Sequence, residues 1–242
     1  SGIDQEAESG GPNSGDVYND GSVTANAVAN AEALGDSNAY ATAYAYATGI
    51  EQEGYGDSAA LTLTNHGDVS ATADADAYAS AEANAYAYAT GVYQYADGDG
   101  NNMADVYNDG SITAKATAKA TGTDVAAEVD ATGVDQYAYG GVGSLTITNH
   151  GDITAAGTAT GNSPDGQAYA SAEVTGTYQY NGADNATIDL VNSSTISATA
   201  NADAYAATSA TADGYAYGAL QHADADIADL SVVNSGEISG VM

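Results

Sequence analysis

Residues 69–90 read VSATADADAYASAEANAYAYAT, with an apolar residue at every odd position from Val69 to Ala89. Period two is the strand period, in which successive side chains point to opposite faces. A helix would spread these alanines around its whole circumference and leave no apolar stripe. Alanine favours helices, so propensity and pattern disagree. The pattern is sustained through several repeats and decides for strand. As one straight strand the stretch would reach roughly 70 Å, whereas strands usually run about 3–10 residues. The chain must therefore bend while keeping inside and outside distinct, and winding into a coil does that.

Outward from this stretch, two markers repeat in step. A Gly-x-x-Gln signature starts at Gly2, Gly49, Gly91, Gly133, Gly176 and Gly218, with spacings of 47, 42, 42, 43 and 42. Asn19, Asn65, Asn108, Asn149, Asn192 and Asn234 each open a turn-like triplet, spaced 46, 43, 41, 43 and 42. Val23, Val69, Ile112, Ile153, Ile196 and Ile238 follow four residues later. The longer first interval suggests an insertion at Leu34-Gly35-Asp36-Ser37. The expectation is a single all-β solenoid over 1–242, in repeats of about 42 residues: 2–48, 49–90, 91–132, 133–175, 176–217 and a partial 218–242. Half a repeat, about 21 residues, suits one coil. Two coils per repeat would give about 11–12 coils and a rod of roughly 55 Å.

Composition bounds the interior. The 242 residues carry a net charge of −31, from 33 acidic residues against Lys115 and Lys119, and contain no Cys, Trp or Phe. Most of the 44% hydrophobic content is Ala, so the core must be narrow and packed by methyl groups. Such charge repels nucleic acid and anionic membranes, which excludes both as expected partners, and no apolar run approaches the ~20 residues that span a bilayer. The chain begins at Ser1 and the pattern runs to both ends, so it reads as a processed form or an excerpt of a longer array.

Asn and Gln at fixed positions can stack into amide ladders, which assigns Asn65, Asn108, Asn149, Asn192, Gln52, Gln94, Gln136 and Gln179 a structural role. The Asn-x-Gly triplets suit tight turns through positive φ, and the Gly of Gly-x-x-Gln suits a second turn. Tyr44 and Tyr46 recur 42 residues on as Tyr86 and Tyr88. In register they would pave one face, either as ladders that stabilise the rod or as a contact surface for neighbouring copies or glycans. Asp97, Asp99 and Asn101 begin like a calcium loop, although the acidic residue expected at its end is missing. Calcium or another divalent cation, spread along the aspartate rows, is the candidate ion, and no organic cofactor is expected. His66 and His150 recur without metal-ligand spacing, and no nucleophile-and-base constellation breaks the repeat, so no enzymatic role is expected.

The pattern Asn-x-Gly-x-Ile-x-Ala-x-Ala, then alternating Ala and Gly-Ile-x-Gln, resembles β-strand repeats of bacterial autotransporter passengers and large secreted adhesins. The resemblance implies secretion, a β-helical rod, an extracellular or cell-surface place, and roles in adhesion, biofilm matrix or surface fibres. The Ala and Tyr content departs from the Leu/Val/Ile-filled cores of such repeats. Self-association into a filament and recognition of glycans or surfaces are therefore the two functional expectations.

Overall fold

The computed structural model describes residues 1–35 and 38–242; the insertion expected at 34–37 thus falls partly outside the described residues. The described chain is all-β. Its first coil carries β1 (Ile3–Glu8), β2 (Pro12–Asn19) and β3 (Ser22–Ala33), and the second carries β4 (Tyr40–Gly56), β5 (Ser58–Asn65) and β6 (Asp68–Ala79). In the next three coils the first two segments merge into one long strand: β7 (Glu82–Asn108) before β8 (Ser111–Thr121), β9 (Asp124–Asn149) before β10 (Asp152–Ser163), and β11 (Gln167–Asn192) before β12 (Thr195–Ala206). The last coil has β13 (Ser209–Ala223), β14 (Ile227–Asn234) and β15 (Glu237–Val241).

All strand pairs are parallel and join neighbouring coils. A six-stranded sheet runs β15-β12-β10-β8-β6-β3; a nine-stranded sheet runs β1-β4-β7-β9-β11-β13, with β2 on β5, β5 on β7 and β14 on β11. In each coil a strand of the six-stranded sheet leads outward. The first half of the following long strand returns along it, and the second half doubles back to the Asn-led turn.

The pairing corrects the expectation of two coils per repeat. Gln52 pairs with Gln94, Gln94 with Gln136, and Ala71 with Ala114, so each neighbour lies one whole repeat away. One repeat makes one flattened coil, and six coils stack to roughly 25 Å rather than 55 Å. The physical reason lies in the amides. In coils of half a repeat, equivalent Asn or Gln residues would sit two coils apart, about 9.6 Å, beyond hydrogen-bond reach. Coils of a whole repeat put like on like at every level.

The flattening follows from alanine. Ala71, Ala73, Ala75, Ala77 and Ala79 of β6 share one buried cluster with Ala83, Ala85, Ala87 and Ala89 of β7, so the two walls meet methyl to methyl. A round tube of this circumference would leave a void that single methyl groups cannot fill. The wall opens at Ser80-Ala81, where Ala81 is only half-buried and the chain reverses. A second lobe, between the two halves of the long strand, holds larger side chains such as Ile50, Leu63, Val106, Ile147 and Leu190.

Two turn expectations are also corrected. The only positive-φ residues among those described are Gly35 and Gly140, so the Asn-x-Gly turns do not use that region. Close approach of the coils favours glycine in the middle of the stack: a Cβ on Gly67 would collide with the Gly21 carbonyl, and one on Gly110 with the Gly67 carbonyl, although Ser194 holds the place in the fifth coil. The glycine of Gly-x-x-Gln lies inside a long strand, not in a turn. A Cβ on Gly91 would come within 2.5 Å of the Gly133 carbonyl and 2.6 Å of Ile112 Cγ2.

Candidate functional surfaces

The structure brings the predicted amides into two continuous lines. Asn19 Nδ2 donates to Asn65 Oδ1 at 2.7 Å, Asn65 to Asn108 at 2.7 Å, and Asn108 to Asn149, Asn149 to Asn192 and Asn192 to Asn234 at 2.8 Å each. The same side chains brace the turn they open, as when Asn65 Nδ2 donates to the Gly67 carbonyl at 3.0 Å. The glutamines run in the opposite sense. Gln52 donates to Gln5 (2.9 Å), Gln94 to Gln52 (2.8 Å), Gln136 to Gln94 (2.8 Å), Gln179 to Gln136 (2.9 Å) and Gln221 to Gln179 (3.0 Å). Each also reaches across the second lobe to a backbone carbonyl, Gln94 to Asp105 and Gln136 to Thr146, both at 3.2 Å. Gln52, Gln94, Gln136 and Gln179 are buried, out of reach of any ligand.

Tyr44 stacks on Tyr86 and Tyr46 on Tyr88, both with ring centroids 4.8 Å apart, at 11° and 5°. The spacing is that of the coils themselves. Tyr44 and Tyr46 lie side by side on one face, 54% and 64% exposed, so the four rings form an accessible aromatic platform. In the next coil their places are taken by Glu128 and Asp130. A second tyrosine band, Tyr93, Tyr95, Tyr137, Tyr139, Tyr178 and Tyr180, packs with tilted rings further along the long strands. Tyr215 stands in the column of Tyr46 and Tyr88, in register with Glu173, and Tyr217 is in register with Thr175. At the Asn-led turns, Tyr18, His66, Tyr107 and His150 alternate edge to face along the stack.

The residues proposed as a calcium loop are not drawn into one. Residues 98–101 form an irregularity in the pairing of β7 with β9. Asn102 Nδ2 donates to the carbonyls of Gly98 at 2.7 Å and Tyr139 at 2.5 Å, while Asp99 and Asn101 are exposed. Asp97 instead contacts the Tyr95 hydroxyl and, after burial, helps hold it neutral. Among the described residues no three His, Cys, Asp or Glu side chains converge as a metal site.

Sequence reasoning missed a crease on the nine-stranded sheet. At Gly133 the in–out alternation slips by one: Ala131 and Val134 are both buried, and Thr132 and Gly133 between them are covered as well. The same slip occurs at Gly91 and Gly176, so the outer surface folds inward along this line. Across the fourth to sixth coils it forms a half-open groove of about 340 Å³ lined by Asp130, Thr132, Asp135, Tyr137, Glu173, Thr175, Tyr178 and Leu220. Asp135 lies in register between Tyr93 and Tyr178. Its Oδ1 is shut off from solvent and has no hydrogen-bond partner. Burial first, then the Asp130 carboxylate, raise its pKa to about 7, against a hydrogen bond from the Tyr137 hydroxyl that lowers it. Asp130, an exposed side chain at the mouth of the crease, is also pushed up, by partial burial and then by Glu173. Burial and the nearby Asp135 also push the Tyr93 and Tyr137 hydroxyls up, so both stay neutral. Aligning the repeats on their glycines places Asp130 in a column with Tyr46, Tyr88, Glu173 and Tyr215, and Asp135 in one with Asp4, Glu51, Tyr93, Tyr178 and Leu220.

Comparison with known protein families, curated proteins and solved structures finds no match for this chain.

Proposed function

We propose that the chain is a structural protein of the extracellular space or bacterial cell surface, a subunit or segment of a filament or matrix. The observation that carries this reading is the pair of amide ladders running unbroken through all six coils in opposite senses. Each level presents the next with the same donors, acceptors and backbone edge, which is a geometry suited to indefinite stacking of further coils, whether of the same chain or another copy. The net charge of −31 opposes lateral packing, and calcium or another divalent cation along the acidic faces would relieve it. Electron microscopy of the purified protein at neutral pH, with and without divalent cations, tests this. Fibres with a cross-strand reflection near 4.8 Å are expected, and dispersed particles under both conditions count against the reading.

A second reading is an adhesive module that recognises glycans or surfaces through Tyr44, Tyr46, Tyr86 and Tyr88. The accessible, nearly parallel stacking of these rings favours it, because such a row offers apolar ring edges tipped by hydroxyl groups.

A further inference from the structure

We propose that the flat alanine lobe stacks face to face on a second copy of this chain. The six-stranded sheet of one copy lies against the nine-stranded sheet of the next, which seats Lys115 and Lys119 on Asp124, Glu128 and Asp130. These two lysines are the only Lys or Arg residues in a chain with 33 acids, and both stand exposed on the outer face of β8. Neither forms an ion pair among the described residues. The first half of β9 is the opposite wall of the same lobe, and it carries Asp124, Glu128 and Asp130 outward. Counted from the reversal at Gly122-Thr123, Lys119 falls between Asp124 and Glu128, and Lys115 falls level with Asp130. A copy shifted along the sheet normal without rotation therefore brings each lysine over an acid. The rest of the two faces sorts in the same way. Asp74 and Asp76 of β6 come opposite the rows Tyr44–Tyr86 and Tyr46–Tyr88, whose hydroxyls can donate to carboxylates. Strand β10, which comes opposite the acids of β9 and β11, presents Thr154, Ala156, Thr158 and Thr160 and no charge until Asp152 at its start. The six-stranded face covers roughly 1,000 Å², against roughly 800 Å² per partner in a stable complex. Repulsion between the two net charges is screened beyond about 8 Å at physiological salt, so the groups in contact decide. The contact is head to tail, with one face of each kind left free, so stacking can continue. It lies across the coil axis, goes beyond the axial stacking proposed above, and does not rest on it.

A charge exchange tests the contact, read by sedimentation velocity of the full chain at neutral pH, about 0.15 M NaCl and EDTA. The parent should associate with rising concentration. Lys115→Glu/Lys119→Glu makes the lysine face acidic, and Glu128→Lys/Asp130→Lys makes the acidic face basic. Each variant alone should associate at least about tenfold more weakly than the parent, because like charges then meet. Mixed one to one, the two variants again oppose unlike charges at every contact, and association should return. Asp224→Asn/Asp226→Asn, on the turn after β13 and outside the lobe, should stay within about twofold of the parent. A parent that remains monomeric, a mixture that remains dissociated, or lysine variants that associate as well as the parent would overturn the proposal. So would association that needs a divalent cation and ignores the lysine variants, since ions then bridge the copies. If Glu128→Lys/Asp130→Lys loses its β-rich circular dichroism, Glu128→Gln/Asp130→Asn replaces it. Its mixture with the lysine variant should then stop at a one-to-one pair, because a single native contact remains. Fibres along the coil axis are scored separately by electron microscopy of the same samples, so failure of this contact leaves the filament reading standing.

Discussion

Val174 occupies the space that a side chain on Gly157 would need: a Cβ built there would lie 2.7 Å from Val174 Cγ2 and 2.9 Å from Val129 Cγ2. In the neighbouring coils the position of Gly157 is Ala116 or Ala200, and the position of Val129 is Ala87 or Ala172. The alanine lobe thus keeps its wall-to-wall distance by exchanging size: where one wall gains two methyl groups, the other gives up its only one.

This pairing predicts a rescue. Gly157→Ala alone should destabilise the fold by about 1–3 kcal/mol through overpacking. Adding Val129→Ala and Val174→Ala restores the Ala-on-Ala packing of the other coils and should recover most of that loss. Urea unfolding midpoints for the single and triple variants provide the check. A triple variant less stable than Gly157→Ala would show that the walls are not matched in this way.

The ladders predict a gradient along the stack. Gln136→Leu leaves Gln94 Oε1 and Gln179 Nε2 without their amide partner in a dry interior, at a cost of about 2–4 kcal/mol. Gln5→Leu, at the end of the line and partly solvated, should cost less than about 1 kcal/mol. Thermal unfolding of both variants gives the comparison, and equal losses would mean the ladder carries no cooperative role.

Asp135 predicts that the fold strengthens on acidification. Its folded pKa, about 7, lies above the ordinary 3.8 because burial and then Asp130 disfavour the charged form. A carboxyl raised on folding contributes stability that is complete below the unfolded value and is lost as pH rises through the folded one. The Asp130 carboxylate acts in the same direction as burial, the hydrogen bond from the Tyr137 hydroxyl acts against it, and Glu173, Tyr93 and Tyr178 complete its surroundings. The melting temperature should therefore rise by several degrees from pH 8 to pH 5. Asp135→Asn should melt higher than the parent at pH 8 and flatten that slope. An unchanged slope would place the titration elsewhere.

The tyrosine platform predicts separable binding. Changing Tyr44, Tyr46, Tyr86 and Tyr88 to Ser removes the stacked rings from an exposed face, so the β-rich circular dichroism should survive while attachment to glycan arrays or surfaces falls. Stacked pairs contribute about 0.5–1.5 kcal/mol each beyond burial, so a modest fall in melting temperature accompanies the change. Undiminished attachment would reject the adhesive reading.

The calcium-like run shows why a local motif is weak evidence of a site. Asp97-Gly98-Asp99-Gly100-Asn101 has the right residue types, but a paired strand edge runs beside it. Asn102 takes the Gly98 carbonyl and Asp97 turns to Tyr95. Asp130, Asp135 and Glu173, by contrast, span 44 residues and form no motif, yet register places them around one groove.

The strand character, the in–out alternation and the residues able to stack were all legible in the chain, because they follow from side-chain period and from amide chemistry acting over a few residues. Coil length, the flattened section, the inward crease at the glycine column and the grouping of three acids were settled only in three dimensions. Alternation reads the same whether the backbone closes after half a repeat or a whole one. The difference lies in which residues come to rest one strand spacing apart, and that depends on contacts about 42 residues distant.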